Sequence, residues 1–176
     1  MLTLEIIYFC KKKMKISKTN FVEVHYRLKE ENAKGELLEE TYGKEPFGFV
    51  FGVGMMIPGF EFEIEGMNAG DKKEFLIIAE EAYGLYNEQQ IVPIPRENFG
   101  SEEEQKEHLI EGNQINMHDQ SGREHVGIVS ELRENEVMID FNHPMAGYDL
   151  YFEVEIISIR DTSREELEEF GLLFEN

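Results

Sequence analysis

The segment "FVEVHYRL", residues 21–28, sets Phe21/Val22, Val24, Tyr26 and Leu28 against Glu23, His25 and Arg27 in alternation. Successive side chains of a strand point to opposite faces, so the pattern specifies a strand with one buried and one solvated side. "DLYFEVEIISI" (149–159) is the longest stretch of this kind and closes the pattern near the far end of the chain. "FGFVF" (47–51) and "KKEFLIIA" (72–79) supply two further strands. The first strand runs into the turn "EENAKGEL", where Gly35 is expected to take a positive φ, and "NAGD" is the turn before residue 72.

Such a sheet needs something to cover its apolar face, and the stretch "GVGMMIPGFEFEIEGM" (52–67) offers it. Gly52, Gly54, Pro58 and Gly59 break any long element through the apolar Met55, Met56, Ile57 and Phe60. Pro58 suits the first turn of a short helix. Ile57, Phe60, Ile64 and Met67 then fall on one face of it, pointing back onto the sheet. The expected fold class is α+β, mainly β: a half-wrapped antiparallel sheet around one short helix.

The middle of the chain changes character. "GSEEEQKEH" reads as a polar, acidic spacer. The strand candidates "NQINMH", "EHVGIVSEL" and "EVMIDF" follow, joined by the turns "DQSG" and "RENE". They form a small inserted β unit of roughly 50 residues that would be marginal alone. Near the end, Ser163 and Glu166 form a capping box for a short helix that Gly171 stops.

Charge and composition exclude several functions. The 176 residues carry a net charge of −20, whereas a nucleic-acid binder needs a basic patch and an anionic membrane repels such a surface. With 37 acidic residues, carboxylate pairs arise by chance and carry no glycosidase argument. "GVGMMIPG" lacks the Lys-Ser/Thr ending of a phosphate loop. His25, His108, His118, His125 and His143 have no ligand spacing with one another or with Cys10, the single cysteine, so neither a metal nor a disulfide is expected. In "MLTLEIIYFCKKKMKI" the apolar block precedes the lysines, the reverse of a secretory signal. Residues 1–13 are read as a leader outside a fold that begins at Met14, with an edge strand over 2–9 as the alternative.

Taken together, "VHYRL", "GELLEET", "EPFGFVFGVGMMIPGFEFEIEGMNAGDKKEF", "EEAYGLYNE" and "DLYFEVEII" resemble the FKBP-type peptidyl-prolyl cis-trans isomerases, in order, from about residue 15 to 160. An insertion bracketed by "VPIPRENF" and "VMIDFNHPMAG" makes the chain similar to the SlyD-like branch with an insert-in-flap domain. The resemblance implies a discontinuous isomerase domain over 14–87 and 143–160 and a chaperone insert over 88–142, and the capped helix with its tail takes up 161–176. By position, Tyr26, Leu38, Phe47, Met56, Ile57, Phe60, Tyr83 and Phe152 match the family's shallow proline pocket. Phe60 would be its floor, where many relatives carry tryptophan, and Phe47, Phe152 and Tyr26 its walls. The Ile57 backbone N–H and the Tyr83 hydroxyl would each hold a substrate carbonyl. Two positions depart from the pattern: Glu39 stands where aspartate is common and Leu38 where phenylalanine is common.

The implied activity is peptidyl-prolyl isomerisation assisting protein folding, with unfolded-chain binding in the insert. A holdase chaperone with a vestigial isomerase site is the alternative, and the presence of Ile57, Phe60 and Tyr83 together favours a live enzyme. The expected partners are unfolded or partly folded polypeptides containing X-Pro bonds, with no nucleic acid, membrane, cofactor or metal. A cytoplasmic monomer is expected. Relatives of this branch often end in a His- and Cys-rich nickel-binding tail; "EEFGLLFEN" has neither residue type, so no such site is expected there.

Overall fold

The structure, a computed structural model, describes residues 14–118 and 121–170. The leader with Cys10, the stop at Gly171 and the first half of the "DQSG" turn lie outside the described residues. The chain divides into two compact units, Met1–Ala82 with Tyr148–Asn176, and Tyr83–Gly147. The sequence reading set the edges of the insert at 88 and 142.

The first unit is built on two long strands, β1 (Asn20–Glu30) and β9 (Leu150–Asp161), paired antiparallel from Asn20↔Asp161 to Glu30↔Leu150 with one irregularity at Glu23/Val24. On the other side of β1, β2 (Leu37–Glu40) pairs near one end and β3 (Phe47–Val50) near the other. Strand β4 (Lys72–Ile77) pairs β9 and completes a five-stranded antiparallel sheet. The alternation carries through into burial. Val22, Val24, Tyr26 and Leu28 of β1 and Leu150, Phe152, Val154 and Ile156 of β9 are all buried. On the opposite face, Arg27 pairs with Glu40 at 3.1 Å and Glu153 at 3.5 Å, Lys29 pairs with Glu153, and Lys72 pairs with Glu155 at 2.9 Å. The fold is α+β and mainly β.

Helix α1 (Pro58–Ile64) covers the apolar face with Phe60 and Ile64, both fully buried. Pro58 begins the helix because its missing N–H is one that no helix satisfies internally. The helix ends at Ile64, so Met67 lies past its C-terminus rather than on its face, its N–H bonding the Ile64 carbonyl at 3.2 Å. Gly59 brings the helix against β4: a Cβ there would stand 2.9 Å from Ile77 Cγ2. The positive φ in the first turn belongs to Glu31 (58°), not to Gly35. Gly35 is needed for space instead, since a Cβ would lie 1.6 Å from the Glu30 carbonyl oxygen.

The second unit holds a four-stranded antiparallel sheet in the order β5-β8-β7-β6: β5 (Ile91–Pro95), β6 (Gln114–His118), β7 (Glu124–Leu132) and β8 (Glu136–Asp140). Its core is Leu109, Val129, Val137 and Ile139, with Ile94, Phe99, Ile115, Met117, Leu132 and Phe141 packed around it. The acidic segment read as a spacer is helix α2 (Glu102–His108). It lacks an apolar stripe, but Leu109 directly after it is buried in the core, and the Gln105 side chain donates to the Arg96 and Gly100 carbonyls at 2.8 and 3.1 Å. Tertiary anchoring therefore overrides a composition that reads as solvated coil.

Gly127 of β7 is a pressure point in this small core. A Cβ there would stand 2.3 Å from Ile139 Cγ2 and 3.0 Å from the Phe141 ring. Gly127→Ala is expected to destabilise the second unit by about 1–3 kcal/mol, the usual effect of overpacking. Amide exchange in β7 and β8 should rise while that of β1 and β9 stays unchanged; uniform protection across both sheets would contradict it.

Near the chain's end, α3 (Arg164–Glu169) carries the expected capping box, with Glu166 N–H donating to Ser163 Oγ at 3.2 Å and Ser163 N–H to the Glu166 carboxylate at 2.8 Å. The Arg160 guanidinium, with the Ser163 N–H behind it, holds the Glu166 carboxyl down at about 2.

Candidate active site

Four of the residues matched to the proline pocket form one run of touching rings in the first unit. Tyr26 of β1 meets Phe47 of β3 edge-on at 6.1 Å and Phe152 of β9 at 6.2 Å, and Phe152 meets Phe60 of α1 at 5.1 Å. The alternation of β1 and β9 places Tyr26 and Phe152 on the covered face, and the Gly-Pro turn delivers Phe60 to it. Burial is graded along the run: Phe47 is 37% exposed, Tyr26 and Phe152 are buried, and Phe60 is 0% exposed. Two more phenylalanines that the sequence reading left out belong to it. Phe49 stacks on Phe47 at 5.9 Å and meets Phe60 at 6.1 Å, and Phe75 meets Phe60 at 5.7 Å and Phe152 at 5.5 Å. Their signal was present: Phe49 is two residues from Phe47, and Phe75 two from Ile77, so each shares a face with an apolar neighbour.

Met56 and Ile57 are half-buried just before α1. Ile57 is the N-cap residue, and its carbonyl accepts from the Phe60 and Glu61 N–H groups at 3.0 and 3.3 Å. Among the described residues its own N–H has no hydrogen-bond partner. The loop ahead of it is fixed by the Gly52 N–H donating to the Glu61 carboxylate at 3.0 Å, and by the Val50 N–H donating to Met55 Sδ at 3.4 Å. Leu38 and Glu39 lie exposed on β2. Glu39 stands opposite Leu28 in the ladder and so on the covered face of β1, whereas Glu40 opposite Arg27 turns outward.

Tyr83 belongs to the second unit. It is 39% exposed, and its ring lies flat against His143, centroids 3.9 Å apart and planes 1° from parallel. The irregular segments around Asn87 and Asn142 are tied together by the buried Asn142. Its Oδ1 accepts from the Asn87 N–H at 2.9 Å, and its Nδ2 donates to the Asn87 carbonyl at 3.0 Å and to Asp140 at 2.7 Å. Burial pushes the Asp140 carboxyl up, but the Tyr86 hydroxyl at 2.7 Å and the Asn142 donors outweigh it and hold it below the ordinary carboxylate range. Among the described residues no group of three or more His, Cys, Asp or Glu side chains is arranged to hold a metal ion, and no helix is long and apolar enough to cross a membrane.

A family model described as FKBP-type peptidyl-prolyl cis-trans isomerase matches residues 12–157. The chain belongs to that family. It is 38% identical over 146 residues to a probable FKBP-type 16 kDa peptidyl-prolyl cis-trans isomerase of Pseudomonas fluorescens, covering 83% of this chain and 93% of that protein. Two proteins called FKBP-type peptidyl-prolyl cis-trans isomerase SlyD are also similar. That of Aeromonas hydrophila is 33% identical over 154 residues, covering 88% of this chain and 69% of its own length. That of Escherichia coli strain K12 is 32% identical over 154 residues, covering 88% and 75%. The chain is thus an FKBP-type, SlyD-like peptidyl-prolyl cis-trans isomerase, and its substrates are proline-containing polypeptides.

Proposed function

We propose that this isomerase works at the graded aromatic face of the first unit and that the second unit captures unfolded chain for it. The observation that carries the first part is the run from exposed Phe47 to fully buried Phe60, an apolar surface reached from solvent and backed by a rigid core. Rotation about an X-Pro bond meets a barrier of about 18–20 kcal/mol because amide resonance is lost. No bond is made or broken, so neither nucleophile nor metal is called for. The twisted amide is less polar than the planar one, and a desolvated apolar site therefore favours the transition state over the ground state. In this reading Phe60 is the floor, and Tyr26, Phe47 and Phe152 are walls that also serve the core. Leu38 and Met56 form a soft rim, suited to loose selection of the residues around proline. The Ile57 N–H, without a partner among the described residues, is read as holding a substrate carbonyl. The Tyr83 hydroxyl is read from the resemblance as a further substrate-carbonyl donor. Glu39, one methylene longer than the family's aspartate, flanks the site.

For the second unit, the support lies in its sheet edges. Pro93 and Pro95 remove two N–H donors from the edge strand β5, while β6 at the other edge has no proline and exposes every second residue. An open edge of this kind accepts an extended chain by strand addition. A cleft of about 540 Å³ beside it is lined by Phe99, Leu109, Ile115 and Met117, which offers apolar contact to a chain seated on that edge.

Tyr83→Phe tests the site assignment. It keeps the ring and removes only the hydroxyl, so kcat/KM on a proline tetrapeptide is expected to fall about threefold to tenfold, the worth of one hydrogen bond in the transition state. Unchanged turnover in the folded variant would remove Tyr83 from the site.

A further inference from the structure

Tyr83 and His143 form the closest and flattest ring pair among the described residues, and the two rings are held very differently. The imidazole of His143 is fixed at several points. Its Nδ1 accepts the Met145 N–H at 3.1 Å, which sets the ring's rotation and leaves the proton of the neutral form on Nε2. The His143 carbonyl accepts the Ala146 N–H at 2.8 Å, closing a tight turn over a buried Ala146. The preceding residue is Asn142, locked to both backbone groups of Asn87. At the far end of the turn the Gly147 N–H donates to the Gly84 carbonyl at 2.8 Å, next to Tyr83 itself. Both glycines have positive φ, 83° and 84°, so this closure needs residues without a Cβ.

The phenol has none of these ties. Among the described residues the Tyr83 hydroxyl has no hydrogen-bond partner, whereas the hydroxyls of exposed Tyr86 and half-buried Tyr151 are taken up by Asp140 at 2.7 Å and Glu74 at 2.5 Å. What fixes the plane of the Tyr83 ring is the imidazole beneath it. A free hydroxyl on a stacked ring is a donor of set direction with its hydrogen-bonding capacity still to be used.

We propose that His143 is the positioning residue for Tyr83: its anchored imidazole sets the phenol plane and hence the direction in which the Tyr83 hydroxyl donates to a substrate carbonyl. This rests on the reading of Tyr83 as a substrate-contacting residue. Exposed in water, a Tyr83 side chain without the stack samples its ordinary rotamers, and only part of that population points productively.

Three variants of the full chain separate the ring from the hydrogen bond. His143→Ala loses both, His143→Asn keeps a side-chain acceptor for the Met145 N–H without the ring, and His143→Phe keeps a flat ring without the acceptor. Nuclear magnetic resonance of the Tyr83 ring protons reads the stack directly through ring-current shielding. The shielding is expected to vanish in His143→Ala and His143→Asn and to persist in His143→Phe. On a proline tetrapeptide, kcat/KM should fall about threefold to tenfold in the first two, in line with the worth of one aromatic pair, and by less in His143→Phe, which keeps the stack but loses the Met145 tie. In a Tyr83→Phe background His143→Ala should add nothing, because the hydroxyl it directs is gone. Lost shielding with unchanged kcat/KM, or an equal loss with and without the Tyr83 hydroxyl, would overturn the proposal while leaving Tyr83 in the site. A silent Tyr83→Phe would overturn the reading of Tyr83 and the proposal with it.

Discussion

Phe60→Ala is expected to destabilise the first unit by about 3–5 kcal/mol and to abolish measurable isomerisation, because the ring is both the centre of the core and the proposed pocket floor. The side chain is fully buried and touches Phe49, Phe75 and Phe152, so its removal opens a cavity walled by three rings that cannot close without tilting β3, β4 and β9. Loss of activity in an unfolded protein would say nothing of the pocket, and Phe47→Ala supplies the contrast. Phe47 is partly exposed and contacts Tyr26 and Phe49 only at the outer end of the run. Its removal is expected to lower stability by about 1 kcal/mol, since little transfer energy and no closed cavity are at stake. Peptide kcat/KM should still drop about tenfold, as the substrate's proline loses one wall of apolar contact. Chemical denaturation and tetrapeptide turnover on the same samples decide the matter. A Phe47→Ala protein of parental turnover would move the site away from this face, and a Phe60→Ala protein of parental stability would contradict the core assignment.

Much of this layout was legible in the residues, for a physical reason that differs from place to place. Half-burial writes itself into a strand as alternation, so β1 and β9 could be read directly, and from Val22 to Leu28 every second residue is buried as the pattern requires. The Ser163–Glu166 capping box was legible because both partners lie within one helical turn. Helix α2 was not, because what makes it a helix is Leu109 docking into a core assembled from strands later in the chain. The turn after β1 was half legible: a glycine was needed, but for a close backbone approach, while Glu31 took the left-handed conformation. At the candidate site, the resemblance selected Tyr26, Phe47, Phe60 and Phe152, whose rings the fold brings into contact. Phe49 and Phe75 were passed over because the resemblance, rather than their alternation, chose the residues. The His143 stack under Tyr83 pairs residues 60 positions apart, and no periodicity carries that information.

Replacing residues 88–141 with a short glycine-serine loop is expected to separate capture from isomerisation. The geometry of the second unit says where to cut. Asn87 and Asn142 are joined by hydrogen bonds of 2.9 and 3.0 Å, so a few residues span the gap, and both should be kept because they hold each other. This cut also keeps Tyr83, Gly84, His143 and Gly147, and with them the ring stack and the Gly84–Gly147 closure. It removes the whole four-stranded sheet with its open β6 edge and apolar cleft. Loop entropy changes only slowly with length, so shortening the connection does not by itself destabilise the remainder. Asp140 leaves with the sheet and Tyr86 loses its partner, but Tyr86 is exposed and water replaces the bond. On a proline tetrapeptide, too short to use a capture surface, the variant should keep kcat/KM within about threefold of the full chain. On an unfolded protein substrate, where holding the chain near the site raises its effective concentration, the rate should fall by about a hundredfold. Suppression of aggregation should disappear in the same preparation, with circular dichroism confirming the first unit's sheet. A variant that still suppresses aggregation would place chain binding on the aromatic face of the first unit. One that is folded yet slow on the tetrapeptide would mean that the β5–β8 sheet contributes to the rotation step itself, through more than the capture of its substrate.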